Sequence, residues 1–329
     1  MTEQEIPMNE SEELNELVEP VSEVTPVPVR PPFWRRIFAL LIDSLLLGIF
    51  GNLLGLAFFD SFVQLGNWGR LIGFVVAVPY FGLLNSALLG GQTLGKRIMR
   101  IKVVSLDGSP LPIAKSLLRA VVLYAPFFVN QLPVTQVGEV NPLMVVISLV
   151  LLAGLAIIYL FIFNRPSRRS LHDLVAGSVV IRAIPDAAPV LRPVWRGHLV
   201  VVSGITMVML VGGVVATVLF SGTLNWLSDV GRTVAQLPGI ENVRSVAIAT
   251  NFTSRGTQFT SVRIIVNTKI KTGRQELDKQ IALAALETAP AIEQYDRLEI
   301  DTLYGYDIGI ASAWTATIRS FPPAQWKVE

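Results

Sequence analysis

The stretch FWRRIFALLIDSLLLGIFGNLLGLAFF, Phe33 to Phe59, decides the class of this protein. It is almost wholly apolar and long enough to cross a bilayer, since ~20 apolar residues at 1.5 Å rise cover ~30 Å of hydrocarbon. Arg35 and Arg36 stand at one end, where arginines reach lipid headgroups and mark the cytoplasmic side. Asp43 lies two turns further in. A carboxylate at that depth is costly unless it is protonated, paired or turned towards a protein-lined interior. Arg36 and Asp43 are seven residues apart and share one helix face, so that face is expected to look into the protein and to pair the two.

The rest of the composition agrees. The chain is 51% hydrophobic and only 16% charged, against about 25% charged in a soluble domain, so a polytopic membrane protein is expected. There is no cysteine, which removes disulfides, thiolate chemistry and Cys-ligated metal. His172 and His198 do not form a spaced ligand set. Within residues 221–329 neither a Ser-His-Asp order nor zinc spacing is present. No metal, no cofactor and no enzymatic activity are expected.

Residues 1–32 hold eight Glu, one Arg and no Asp or Lys, and are punctuated by Pro20, Pro26, Pro28, Pro31 and Pro32. This segment reads as a disordered acidic tail, either a solvated spacer or a partner-binding arm. It has no apolar core of the kind a cleaved signal peptide needs. A first span covers Trp34 to Phe58, a polar turn Asp60 to Gly69, and a second span Leu71 to Leu89, with Pro79 inside it and Asn85 as a buried polar group. Gly90 to Arg119 carries six basic residues against Asp107 and is expected on the cytoplasmic side. Within it Ile101 to Leu106 reads as a strand and Asp107-Gly108 as its turn. Leu117 to Leu132 is a short apolar segment broken by Pro126, and Asn141 to Phe163 is a full span. The basic clusters on either side of this pair belong on one face of the membrane, so the short segment crosses and Pro133 to Asn141 lies outside. A re-entrant short segment is the alternative, and it would reverse every later side. Asn164 to His198 holds six arginines and two aspartates and reads as cytoplasmic. The last span is Leu199 to Phe220. Five crossings from inside place the C-terminus outside.

Residues 221–329 change character, with 11 basic and 11 acidic residues. Trp226, Val230, Val234 and Leu237 form a helical stripe. Val243 to Asn251 and Thr260 to Thr268 read as strands, and a capping box of Thr272 and Gln275 opens a helix to Thr288. Leu298 to Tyr304 and Ile308 to Trp314 alternate about a turn at Gly305. The order α-β-β-α-β-β predicts a two-layer sandwich with helices on one face of an antiparallel sheet. Asp296, Glu299, Asp301 and Asp307 gather near its third strand, as a solvated edge or, alternatively, a cation site.

Two further stretches carry candidate chemistry. In SRRSLHDLVAG, Ser167 to Gly177, Arg168 and Arg169 precede His172-Asp173. The group could bind an anion or relay protons, or Asp173 could tie this segment to Arg36 or Lys96 and fix the fold. GGQTLGKR, Gly90 to Arg97, falls one residue short of a phosphate loop and has Arg97 where Ser or Thr belongs, which argues against nucleotide hydrolysis. Lys96, Arg97, Arg100, Arg168 and Arg169 are the candidate lipid-headgroup or anion-binding residues. Arg36, Asp43, Asp173 and His172 are the candidate polar membrane cluster.

Three of these stretches together resemble the RDD family of bacterial membrane proteins, named for an Arg-Asp-Asp pattern: RRIFALLID (Arg35 to Asp43), GQTLGKRIMRIKVVSLDGSPL (Gly91 to Leu111) followed by Arg119, and RRSLHDLVAG (Arg168 to Gly177). The resemblance places the arginine on Arg36 and the aspartates on Asp43 and Asp173. It implies a multi-pass protein of the bacterial cytoplasmic membrane. The expected architecture is therefore an all-α membrane bundle of about five transmembrane helices followed by a small α+β sandwich. Its divisions are a tail (1–32), an RDD-type core (33–181), a linker and last span (182–220) and an extracytoplasmic domain (221–329). Ion or small-solute transport or sensing through the Arg-Asp-Asp cluster is one functional expectation. The other is a non-transporting scaffold whose outer domain binds an envelope protein. The partners expected are the lipid bilayer, an envelope protein through 221–329 and a second copy of the chain, and no nucleic acid. A reporter enzyme that works only outside the cytoplasm, fused after Glu329, is expected to be active. Activity of a cytoplasm-only reporter at that position would overturn the five crossings.

Overall fold

Helix α1, Phe33–Leu65, places Ala39, Asp43, Leu47, Gly51 and Gly55 at four-residue intervals on one buried stripe. Leu41, Leu45, Ile49, Leu53 and Leu56 point away from the protein and stay exposed, as lipid-facing side chains do. In the computed structural model, which describes residues 27–29, 32–130, 142–184, 187–189, 192–252, 256 and 258–328, this helix is the spine of the molecule. It leaves helical geometry at Phe58 (φ −126°, ψ 27°) and then resumes. The polar turn expected at Asp60 to Gly69 is therefore helical to Leu65, with only Gly66–Gly69 forming a 3-10 turn. The extra helical turn persists because Phe62 and Val63 are buried against the C-terminal domain.

Helix α2, Arg70–Leu84, contains Pro79 and stops before the expected Leu89. There Asn85 folds its amide back onto the Phe81 carbonyl (2.6 Å) and Ser86 caps a short 3-10 turn, Ala87–Leu89. Then come α3 (Leu94–Ile98), β2 (Ile101–Ser105), α4 (Ile113–Val129), α5 (Pro142–Phe163) and α6 (Leu171–Val175). Strand β2, expected from sequence, pairs antiparallel with β3, Ser178–Arg182, and so joins the two basic segments. The end of the tail is also structured: β1, Val27–Val29, pairs in parallel with β4, Ala187–Pro189. The rest of the tail and the expected loop Pro133 to Asn141 lie outside the described residues. Among the described residues three helical stretches are long and apolar enough to cross a membrane: Phe33–Leu84, which comprises α1 and α2, Val145–Phe163 and Arg196–Val215.

The last of these belongs to α7, Arg196–Ala235, a single 40-residue helix. It runs without a break from the apolar stretch into the C-terminal domain, where Val230 and Val234 are fully buried. The domain continues with β5 (Ile240–Phe252), β6 (Gln258–Thr268), α8 (Arg274–Thr288), β7 (Arg297–Asp307) and β8 (Ser312–Phe321), in the predicted order. Its core joins Val262, Ile264 and Val266 to Leu277, Ile281, Leu298, Ile300 and Trp326. Three details differ from expectation. The sheet, ordered β5-β6-β7-β8, is mixed, because α8 crosses over between β6 and β7 and brings them parallel. Helix α8 is preceded by Gly273 at φ 71° rather than by a Thr272 capping box. Gly305 lies inside β7 opposite Trp314, and the chain turns at residues 308–311.

That turn docks on the helices. Tyr304, Tyr306 and Ile308 pack against Phe59, Phe62 and Val63 of α1. The buried Arg70 guanidinium donates to Asp307 Oδ2 (2.9 Å) and to the Phe127 carbonyl of α4 (2.7 Å). Glu241 Oε1 accepts from the Asn67 amide (2.8 Å). The molecule thus has a domain end, at Leu65, Arg70 and Phe128, and an opposite charged end, at Arg36, Asn85 and Arg119.

Asp278, on the inner face of α8, is buried with neither carboxylate oxygen in hydrogen-bonding geometry among the described residues. Burial pushes it up to about 6, although Thr302, Arg319 and Arg274 pull the other way. Between pH 3.8 and about 6 the folded chain holds more protons at this position than the unfolded chain, so stability is expected to fall as pH rises through that window. Asp278→Asn should raise the thermal midpoint of the detergent-solubilised full chain near neutral pH and leave it unchanged below pH 3.8. An equal shift at both would rule out a buried charge as the cause.

Candidate functional site

Two fully buried carboxylates organise the charged end, and they are held in opposite ways. Asp173 is the third residue of the short helix α6. Its Oδ2 accepts from the Ser170 amide (3.3 Å), which completes a capping box with Ser170. The same Oδ2 pairs with Arg36 Nη2 (2.8 Å), and Oδ1 pairs with Arg119 Nη2 (2.8 Å) and accepts from Arg119 Nε (2.9 Å). His172 Nε2 lies 3.4 Å from Oδ1. Burial pushes this imidazole down to about 3, so it is neutral near neutral pH. Burial alone would raise the Asp173 carboxyl, but His172, Arg36 and Arg119 hold it well below the usual carboxylate range. With the imidazole uncharged, the two guanidinium groups supply that attraction.

Arg36 also donates to the Arg168 carbonyl (2.5 Å), which a left-handed backbone at Arg168 (φ 51°) presents to it, and stacks over the Phe161 ring at 4.9 Å. The expected pairing of Arg36 with Asp43 is absent. Helical side chains lean towards the N-terminus, and Arg36 sits in the first turn of α1. Its long side chain therefore reaches off the helix end to Asp173, away from Asp43.

Among the described residues Asp43 is bound by neutral donors only. Its Oδ1 accepts from Tyr80 Oη (2.8 Å) and from the Gly95 amide (2.8 Å), and its Oδ2 accepts from Thr93 Oγ1 (2.5 Å). Thr93 Oγ1 in turn accepts from the Lys96 amide (3.3 Å) and caps α3. Gly95 permits this close approach, since a Cβ there would lie 2.2 Å from the Ala39 carbonyl oxygen. Gly95 of GGQTLGKR thus seats α3 against α1, while Gly91 lies over the Val103 carbonyl of β2.

Lys96 does not reach a headgroup. It is buried, donates to Asn85 Oδ1 (2.8 Å) and lies 5.8 Å from the centre of the Phe81 ring. No carboxylate pairs with it among the described residues. Burial first, and then Arg119, push its amine down to about 7, while Asp43 and Asp173 pull it back. Arg97 and Arg100 are exposed, as a headgroup role requires. Arg168 stacks over Phe33 at 4.5 Å, and Arg169 Nε donates to the Ser178 carbonyl (3.1 Å). The acidic residues near β7 disperse: Asp296 accepts from Thr260, Asp301 pairs with Arg263, and Asp307 pairs with Arg70. No metal-ligating group of three is found among the described residues.

Residues 30–177 match the model of the RDD family. This segment is an RDD family core. No curated protein and no solved structure matches the chain. The match closes at Gly177, so β3, the last apolar helix and the C-terminal domain lie beyond the RDD core. Within that core Arg36 and Asp173 share one ion-pair network, while Asp43 has a network of its own. Sequence reasoning missed Arg119, Tyr80 and Thr93. Arg119 carries a signal, as a lone charge beside the apolar run from Ala120 and after the second RDD motif, but its position suits the basic loop equally well. Tyr80 and Thr93 had none that distinguishes them from other polar residues near span ends.

Replacing Asp173 by Asn leaves two buried guanidinium groups without a counter-charge, a loss on the order of 3–5 kcal/mol. Asp173→Asn is expected to lower the thermal midpoint of the RDD core sharply. Arg119→Gln, which leaves Arg36 to neutralise Asp173, should cost less. Equal losses from the two would show that Arg119 carries the whole interaction.

Proposed function

We propose that this chain is a multi-pass protein of the bacterial cytoplasmic membrane that moves or senses a small ion, with Asp43 and Lys96 as its responsive groups. One contrast carries the reading. Asp173 is fixed between two guanidinium groups, whereas Asp43, as fully buried as Asp173, and Lys96, also buried, touch only neutral partners among the described residues. Lys96 can change its protonation without breaking an ion pair, and the neutral cage around Asp43 leaves its carboxylate open to a cation, so the pair can respond to an ion or to pH. Asp173 is then the fixed reference of the Arg-Asp-Asp pattern and not its switching member.

The five-crossing topology fits this reading. Helix α4 runs from Arg119, bonded to Asp173, to Phe128, packed beneath the β7-β8 turn, so it extends from the charged end to the domain end. The charged end carries the exposed Arg97 and Arg100 and is assigned to the cytoplasm by its basic character. The domain 221–329 is then extracytoplasmic, and no enzymatic step is assigned to it. The scaffold reading draws on the firm docking of that domain through Arg70 and Asp307, and would have it bind an envelope protein.

Reconstituted vesicles containing a pH-sensitive dye separate the two. The wild type is expected to dissipate an imposed ion or proton gradient, with a pH dependence centred near 7, where Lys96 gains or loses its proton. Asp43→Asn should abolish the flux, and Lys96→Gln should remove the pH dependence. Gradients left undisturbed by folded wild-type protein would sink transport and leave the scaffold.

A further inference from the structure

The tip of the β7-β8 hairpin is placed where a soluble domain has no need to reach. Ile310 and Ala311 lie against Gly48 and Gly51 of α1, where a Cβ on Gly51 would come within 2.8 Å of the Ala311 Cβ. Gly48 is 12 residues beyond Arg36, so the tip sits ~18 Å along α1 from the charged end, within a helical stretch long and apolar enough to cross a membrane. Non-helical backbone at that depth is tolerated only where protein surrounds it. The surround here is made of glycine. A Cβ on Gly55 would overlap the Tyr306 hydroxyl at 1.6 Å, and one on Gly73 of α2 would lie 2.0 Å from the Ile308 carbonyl oxygen. Gly309, at φ 79°, lets the turn pass the Phe128 ring of α4, which a Cβ would meet at 2.3 Å. Asp307 closes the turn through the Gly309 amide (2.7 Å) while it pairs with Arg70. Ile308 is fully buried.

The same tip adjoins the site. Ile310 packs in one apolar cluster with Leu47, Phe81 and Phe128. Phe81 carries the Lys96 amine over its face and stacks on Tyr124 at 4.5 Å. Gly73 and Tyr80, the partner of Asp43, are seven residues apart on one face of α2. Through this apolar layer the hairpin tip is connected by packing to the surroundings of the buried acid and amine.

We infer that the 308–311 turn is a plug that closes the domain end of the helix bundle, and that its seating is coupled to the state of Asp43 through the layer between them. The plug rests on packing alone. Its coupling to Asp43 rests on the functional reading above. Coupling of this kind is reciprocal, so a change at Asp43 must alter how firmly the plug is seated.

The chain has no cysteine, so a single introduced thiol reports alone. In full-length protein in lipid nanodiscs, Ile308→Cys is expected to react with a water-soluble maleimide about tenfold or more slowly than Gln280→Cys on the exposed face of α8. Adding Gly51→Leu should unseat the tip and raise the rate at position 308 but not at 280. Should that variant not fold, the pair Gly51→Cys and Ala311→Cys should cross-link on mild oxidation. Equal rates at 308 and 280, or no cross-link, would overturn the plug. Adding Asp43→Asn should change the rate at 308 by about fivefold or more. An unchanged rate would overturn the coupling and leave a static joint. Ion flux is not read in any of these arms. A seated plug without flux in vesicles would count against the transport reading and not against the plug.

Discussion

A single carboxylate holding two guanidinium groups is the constraint on which the charged end depends. Asp173 belongs to a five-residue helix with little core of its own, yet it meets Arg36 at the start of α1 and Arg119 on α4. Three segments far apart in sequence are thereby fixed at one point. Such a triad gives little net stability over an apolar replacement, but removing one member leaves an uncompensated buried charge. Its value is in register: α1 cannot slide along its axis without breaking the pair. Once α1 is fixed, Asp43 falls beside Thr93, Gly95 and Tyr80, and Gly51 and Gly55 fall under the hairpin.

The molecule is therefore polar in its construction. One end is held by ion pairs around Asp173. The other is held by close approach of backbone and side chain at glycines, reinforced by Arg70 and Asp307. The apolar layer of Leu47, Ala77, Phe81 and Phe128 lies between them. Helix α7 joins the domain covalently to the last apolar stretch, and the β7-β8 turn seats the domain on α1, α2 and the Phe128 ring of α4.

Several parts of this were legible in the sequence because they follow from local pattern. The α-β-β-α-β-β order came from alternation at Val262, Ile264 and Val266 and from the helical stripe Trp226, Val230, Val234 and Leu237. Strand β2 came from Ile101 to Leu106 with its Asp107-Gly108 turn. The parallel pairing of β6 with β7 was not legible, because a crossover helix and a hairpin leave the same alternation in each strand. Nor was the place of the turn: Gly305 looked like a turn residue, but it sits in the strand, where it lets Trp314 pass close by. Burial of Lys96 was hidden for a related reason. A basic residue in a basic loop looks solvated until the fold places Asn85 and Phe81 over it.

What the sequence determined by itself is the class of the molecule: apolar stretches long enough to cross a membrane, an acid buried in the first of them, an RDD-type motif set, and a mixed α and β domain after it. Each of these depends on residues close together in the chain, whose spacing sets helix face or strand face directly. The tertiary structure alone decided which charges meet. Arg36 could have paired with Asp43, seven residues away, but the lean of its side chain and the position of α6 gave it Asp173, 137 residues away. Partner choice among buried charges depends on how helix ends come together in space, and local periodicity carries no record of that.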